Sequence, residues 1–139
     1  MKFVKNEIII KKVQQELDKI ESVVSAYIFG SILKKGVFND IDILILLNNQ
    51  ADKNSIFLEL PCNLARSLNI SSNKIDILNF DLREANPIVL IKAVKGRLIK
   101  NVDDELLTDK LEELSCFFLM NEPILYYRKE LLRELLYEY

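Results

Sequence analysis

The sequence has no histidine and no tryptophan, and it has only two cysteines among 139 residues. Without histidine, a catalytic triad with an imidazole base and a zinc site with histidine ligands are both excluded. Cys62 and Cys116 are too few and too isolated for a disulfide framework. Both lie in helical patterns, where we expect them to serve as small buried apolar residues. Carboxylates, hydroxyls and amines remain as the groups available for chemistry.

Strong charge and long apolar runs are also missing. The formal net charge is −2, so we expect no strong attraction to anionic membranes and no direct nucleic-acid binding. No apolar run reaches the roughly 20 residues that span a bilayer, and the opening stretch MKFVKNEIII is too short for a signal peptide. A chain of 139 residues, half of them hydrophobic, fits one domain with its own core. These properties predict a soluble, cytoplasmic protein.

Hydrophobic periodicity predicts alternating helices and strands. The predicted strands are residues 23–29, 40–47, 74–80 and a short 97–100. The predicted helices are residues 6–21, 55–68, 88–95 and the region from 103 onward. Pro61 should kink the second helix or mark its start, and Gly96 should end the third in a left-handed conformation. We therefore expect one α+β domain, residues 1–139, with a small mixed sheet, helices on one side of it, and a C-terminal helical hairpin or tail at 103–139.

Two aspartates, Asp40 and Asp42, open the second predicted strand. Residues i and i+2 of a strand point to the same side, so both carboxylates project into one small volume. Like charges at that separation repel each other and raise one pKa, so a site that keeps both ionised normally holds a cation. Oxygen ligands without cysteine or histidine favour Mg²⁺ or Mn²⁺, and Mg²⁺ is usually held by one or two carboxylates together with substrate phosphates.

A glycine–serine pair and two lysines precede the aspartates. Gly30 allows a phosphate to approach the backbone, and the Ser31 hydroxyl can donate a hydrogen bond to it. Lys34 and Lys35 add positive charge within reach of the same phosphates, or else are solvated loop residues. Together with the aspartates, these residues predict a site that binds a nucleoside triphosphate through a metal ion. Transfer of a phosphoryl or nucleotidyl group then needs little beyond positioning and charge neutralisation.

A third carboxylate is needed to orient or deprotonate an attacking hydroxyl. Asp76 is the best candidate, because it opens the next predicted strand and shares a face with Leu78. If the two strands are neighbours, all three aspartates converge at one end of the sheet. Asp81 and Glu84 are the alternatives for this role.

The pattern Gly30-Ser31, a short loop, Asp40-x-Asp42 and a later strand aspartate resembles the nucleotidyltransferases of the DNA polymerase β superfamily. The resemblance implies that Asp40, Asp42 and Asp76 are the catalytic and metal-binding residues. It also implies that Gly30 and Ser31 bind the nucleotide, and that the cofactor is Mg²⁺ or Mn²⁺ with ATP as substrate. From its place in the loop, Lys35 is the further nucleotide-binding candidate.

Within that superfamily the chain is most similar to the minimal (MNT) nucleotidyltransferases. Many of these are antitoxins paired with a HEPN ribonuclease toxin, and some transfer AMP onto a toxin tyrosine. The resemblance therefore implies an adenylyltransferase antitoxin with a HEPN-type partner, in a homo- or hetero-oligomer. Residues 32–39 make a loop of eight where the common MNT pattern has ten. Two alternatives stay open: a non-catalytic antitoxin that acts by occlusion, which the short loop favours, and a small-molecule (drug-type) nucleotidyltransferase.

Overall fold

The computed structural model describes residues 2–34 and 39–120 of the chain. Its helices are α1 (Lys2–Asp18), α2 (Lys53–Leu68), α3 (Pro87–Val94) and α4 (Asp104–Met120). Its strands are β1 (Val23–Phe29), β2 (Ile41–Leu47), β3 (Ile75–Asn79) and β4 (Arg97–Asn101). Each predicted element is present within a few residues of its expected bounds. Lys35 and most of the predicted C-terminal tail lie outside the described residues.

The four strands form one mixed sheet in the order β3-β2-β1-β4. β1 is antiparallel to both β2 and β4, whereas β2 and β3 are parallel and are joined through α2. The end of β1 therefore lies at the same edge of the sheet as the starts of β2, β3 and β4. Because side chains that follow β1 or open the other strands meet at this edge, it is the part of the fold where the candidate residues can gather.

Helices cover both faces of the sheet. Ile41, Ile43 and Ile45 of β2 belong to a buried cluster with residues of α1 and α2. Leu44 and Leu46, on the opposite face of β2, belong to a second cluster with residues of α3 and α4. The predicted α+β class with a mixed sheet is confirmed, but the expectation of helices on one side was wrong. The physical reason is that β2 is apolar on both faces beyond Asp42, and each apolar face must be covered.

The start of α3 matches its sequence signal, whereas its end does not. Asn86 caps the helix by accepting a hydrogen bond from the Ile88 backbone N–H at 2.9 Å, and proline follows at the first helical position. Gly96 does not have the expected positive φ. A Cβ on this residue would overlap the Ile28 carbonyl oxygen and lie 2.7 Å from the Phe29 Cβ. The glycine is thus required for close packing of the end of α3 against β1.

One of the two alternatives for Pro61 and the expectation for both cysteines were wrong. α2 begins at Lys53, where Asp52 accepts a hydrogen bond from the Ser55 backbone N–H, so Pro61 lies inside the helix and does not mark its start. Cys62 and Cys116 are exposed, because other residues of their helices fill the core-facing positions. No helix among residues 2–34 and 39–120 is long and apolar enough to cross a membrane.

Candidate active site

Asp42 and Asp76 are direct neighbours across the parallel pair of β2 and β3. Residues paired in this way direct their side chains to the same face of the sheet. For Asp42 this is the face of Leu44 and Leu46, which α3 and α4 cover. Asp40 comes just before β2 and is partly buried, while Asp76 is exposed at the start of β3. The strands are therefore neighbours, as the convergence of the three aspartates requires.

The electrostatics of Asp42 reflect this convergence. The pKa of Asp42 is raised to about 6, first by burial and then by repulsion from the charges of Asp76 and Asp40. A hydrogen bond with Asp76 also raises this pKa, whereas the positive charge of Lys92 lowers it. Asp42 is thus a carboxylate in a crowded acidic environment, where a cation would relieve the repulsion.

Gly30 lies against the Asp42 side chain. Phe29, the residue before it, pairs with Asp42 across the antiparallel β1–β2 ladder. Gly30 has φ +88° and ψ −155°, a conformation almost restricted to glycine. A Cβ on Gly30 would overlap Asp42 Oδ2 and lie 3.4 Å from Asp42 Cγ. Both the backbone conformation and the contact with the carboxylate therefore require glycine at this position.

The segment after Gly30 is tied to the aspartates and to α1. Ser31 begins a short 3₁₀ helix, Ser31–Leu33, and its hydroxyl donates to the Asp40 carbonyl oxygen at a long 3.4 Å. The buried Asn6 of α1 donates from Nδ2 to the Ile32 carbonyl oxygen at 3.1 Å. Sequence reasoning missed Asn6. The signal that could have found it is a polar residue in the same helical stripe as buried Ile10.

The alternative carboxylates are engaged elsewhere. Asp81 accepts hydrogen bonds from Arg83, which lower the pKa of Asp81. Glu84 accepts hydrogen bonds from Lys53 and from Asn79, and these lower the pKa of Glu84. Neither group is among the charges that act on Asp42. Of the three candidates for the third carboxylate, only Asp76 is next to Asp42.

Two lysines of the described chain, Lys34 and Lys92, belong to elements that adjoin the site. Lys34 follows the 3₁₀ helix and is exposed, while the predicted nucleotide-binding Lys35 is outside the described residues. Lys92, in the last turn of α3, is the charged residue that sequence reasoning missed. Its signal in the sequence is a lysine within the otherwise apolar helix PIVLIKAV, four residues after the buried Ile88.

The donor groups at this edge suit a hard divalent cation. Among residues 2–34 and 39–120, no three carboxylate, cysteine or histidine side chains are close enough together to form a ready-made metal site. What the described chain offers is the adjacent pair Asp42 and Asp76, with Asp40 acting on Asp42 through its charge. Mg²⁺ is usually held by one or two carboxylates together with substrate phosphates, so this donor set fits a metal that enters with a phosphorylated substrate.

Comparison with known proteins gives a family and a set of structural neighbours. Residues 11–105 match the family model described as polymerase beta, nucleotidyltransferase. A search of curated proteins found no significant match. The fold resembles a chain in the crystal structure of the MntA–HepT toxin–antitoxin, with 23% identity, a TM-score of 0.58, and 88% of this chain and 98% of that chain covered.

Two further structures show the same fold. One is a complex of a tri-AMPylated HEPN toxin from Shewanella oneidensis with its MNT antitoxin, with 24% identity, a TM-score of 0.54, and 93% of this chain and 99% of that chain covered. The other is a toxin–antitoxin with AMP-PNP, with 23% identity, a TM-score of 0.58, and 91% and 97% coverage.

Proposed function

Because the chain belongs to the polymerase β nucleotidyltransferase family, we propose that it is a Mg²⁺-dependent adenylyltransferase antitoxin. It transfers AMP from ATP to a tyrosine hydroxyl of a HEPN-type ribonuclease toxin, in the cytoplasm, where ATP is available. The observation that carries this proposal is the arrangement of Asp42 beside Asp76 and against Gly30, at one edge of the sheet. The neighbouring complex with a tri-AMPylated HEPN toxin supports the choice of acceptor.

In this proposal Asp40, Asp42 and Asp76 have related roles. Asp40 and Asp42 bind Mg²⁺ (or Mn²⁺), which when bound neutralises phosphate charge and makes the α-phosphorus more electrophilic. Asp76, the most exposed of the three, binds metal from the other strand and accepts the proton of the attacking hydroxyl. Because the adjacent pair supplies only two carboxylates, the remaining metal ligands would come from phosphate oxygens of ATP.

Gly30 and Ser31, with Lys35 from the adjoining loop, hold the triphosphate. At the end of β1, Gly30 carries no side chain to block a phosphate that approaches the backbone of this segment, and Ser31 donates from its hydroxyl. In the transfer step, the tyrosine oxygen forms a bond to the α-phosphorus while the bond to the bridging oxygen of the β-phosphate breaks. Pyrophosphate leaves with that electron pair, and the hydroxyl proton passes to Asp76.

The test is transfer of AMP to the protein encoded next to this chain. That protein is incubated with this chain, ATP and Mg²⁺, and its intact mass is measured. We expect the mass to rise by one or more AMP groups with the wild type and not with Asp42→Ala, since one of the paired carboxylates is gone. Asp109→Ala, which removes an exposed carboxylate of α4, is the matched control and should transfer normally. Absence of an adduct with the wild type, with adenylation of a small hydroxyl compound instead, would favour the drug-type alternative.

A second function is supported by the loop of eight residues at 32–39. A chain with a shortened phosphate-binding loop could neutralise its toxin by occlusion alone. Growth of cells that express the toxin with either wild type or Asp42→Ala separates the two functions. Loss of protection with Asp42→Ala supports neutralisation by transfer, and full protection supports occlusion.

A further inference from the structure

The last turn of α3 lies at the edge of the sheet where the aspartates gather. α3 packs on β1 and β2, on the face that carries Asp42. It leads through Gly96 into β4, and Gly96 is so close to β1 that a Cβ would lie 3.0 Å from the Phe29 Cα. Phe29 in turn pairs with Asp42. These contacts place the end of α3 close to the position where Phe29 pairs with Asp42.

Lys92 lies in this last turn of α3. Its neighbour Ala93 is fully buried in the same cluster as Phe29 and Leu44, and Ile88, one turn earlier on the same side of the helix, is also buried. Lys92 itself is partly buried. Its positive charge acts on Asp42 and opposes the effect of the surrounding carboxylates. The ammonium group is therefore held near the carboxylates by a rigid element and not by a loop.

We propose that Lys92 is a nucleotide-binding residue, which contacts the triphosphate of ATP from the α3 side of the site. This assignment rests on the proposed function and extends it to a residue outside the glycine–serine segment. A triphosphate brings several negative charges to an edge that already holds Asp40, Asp42 and Asp76. A compact ammonium with three donors can hydrogen-bond phosphate oxygens that the metal leaves uncovered.

A simpler role for Lys92 predicts the opposite behaviour. If Lys92 only neutralised the aspartates, its removal would leave them more negative and would make the site more attractive to Mg²⁺. Affinity for ATP with Mg²⁺ would then stay the same or increase. If Lys92 binds the triphosphate, that affinity falls and the affinity for AMP, which has no β- or γ-phosphate, stays close to the wild-type value.

The experiment compares Lys92→Met, Lys92→Arg and the matched control Lys95→Met by titration calorimetry with ATP and with AMP, both with Mg²⁺. Lys95 is the exposed C-cap of the same helix. We expect Lys92→Met to bind ATP about tenfold more weakly or worse, because a charge-assisted hydrogen bond is lost. Lys92→Arg, which keeps the charge, should recover part of the affinity, and Lys95→Met should bind as the wild type does. Unchanged AMP binding shows that Lys92→Met is folded.

The outcomes separate this assignment from the function on which it rests. A wild-type chain that binds no ATP with Mg²⁺ would overturn the proposed function, and the assignment of Lys92 with it. A wild-type chain that transfers AMP, with Lys92→Met binding ATP equally well or more tightly, would overturn the assignment alone. Equal losses for ATP and AMP would also overturn it, since the triphosphate would not be the group that Lys92 recognises.

Discussion

Replacing Gly30 with alanine would disturb the site in two separable ways. The first is conformational, because alanine would have to adopt φ +88° and ψ −155°. The second is a contact, because the new methyl group would overlap Asp42 Oδ2. The side chain of Asp42 can escape the overlap only by turning away from Gly30, and this moves a carboxylate that we propose as a metal ligand.

The two effects have different magnitudes and different readouts. Backbone strain of this kind costs on the order of 1–3 kcal/mol of unfolding free energy. For a domain of this size, about 4 °C of melting temperature corresponds to 1 kcal/mol, so we expect a decrease of about 4–12 °C. Displacement of Asp42 adds little to this decrease if the side chain rotates freely, but it should reduce AMP transfer severely.

A double-mutant cycle with Asp42→Ala measures the contact on its own. In that background only the Asp42 Cβ remains, and it would lie 3.6 Å from the new methyl group, which is ordinary van der Waals contact. Thermal unfolding is measured for the wild type, the two single variants and the double variant. The decrease that Gly30→Ala causes in the Asp42→Ala background gives the strain, and the additional decrease that it causes in the wild-type background gives the overlap. A Gly30→Ala variant with wild-type melting temperature and full AMP transfer would refute the reasoning. If Gly30→Ala lowers the melting temperature equally in the wild-type and the Asp42→Ala backgrounds, the result supports the backbone strain and refutes the contact.

Two further predictions concern charged residues. The Lys100 ammonium is buried and donates to the carbonyl oxygens of Leu17 at 2.8 Å and Ile20 at 2.9 Å, so Lys100→Met should cost about 1–3 kcal/mol in urea unfolding, whereas the exposed Lys19→Met should cost little. A loss no larger than that of the control would contradict this. The pKa of Asp42 is raised to about 6 in the fold, so the unfolded chain binds fewer protons between about pH 4 and 6, and the metal-free protein should lose stability as the pH rises through that window. With a chelator present, Asp42→Asn should therefore be more stable than wild type at pH 7 by a margin that shrinks near pH 4, and a margin independent of pH would count against it.

Local patterns predicted the parts of the molecule that depend on neighbouring residues. The bounds of β1 follow from a β-branched and aromatic run that ends at Gly30, and the start of α3 follows from Asn86 and Pro87. The alternation of aspartates with apolar residues predicted that Asp42 opens the second strand, whereas Asp40 lies just before β2. The helices on both faces could also have been predicted, because β2 has two apolar faces.

The remaining features depend on packing between distant segments. Asn6 reaches Ile32 only because α1 lies against the short 3₁₀ helix Ser31–Leu33. Lys92 approaches Asp42 only because Gly96 permits α3 to end close to β1. The local pattern at Gly96 predicts a left-handed helix end, whereas the structure requires glycine there because of a tertiary contact with Ile28 and Phe29. No periodicity within a single element carries this information.

The candidate site forms only when β2 and β3 pair in parallel and in the correct register. Because side chains alternate along a strand, a slip of β3 by one residue would turn Asp76 toward the cluster of Ile41 and Ile43 under α1 and α2. Burial of a carboxylate in that cluster is costly, so the aspartate itself selects against the wrong register. A molecule that paired incorrectly would also lack the Asp42–Asp76 pair. The carboxylates therefore come together only when β2 and β3 pair in the correct register. A titration of the sites that can bind ligand would count the correctly folded molecules in a preparation.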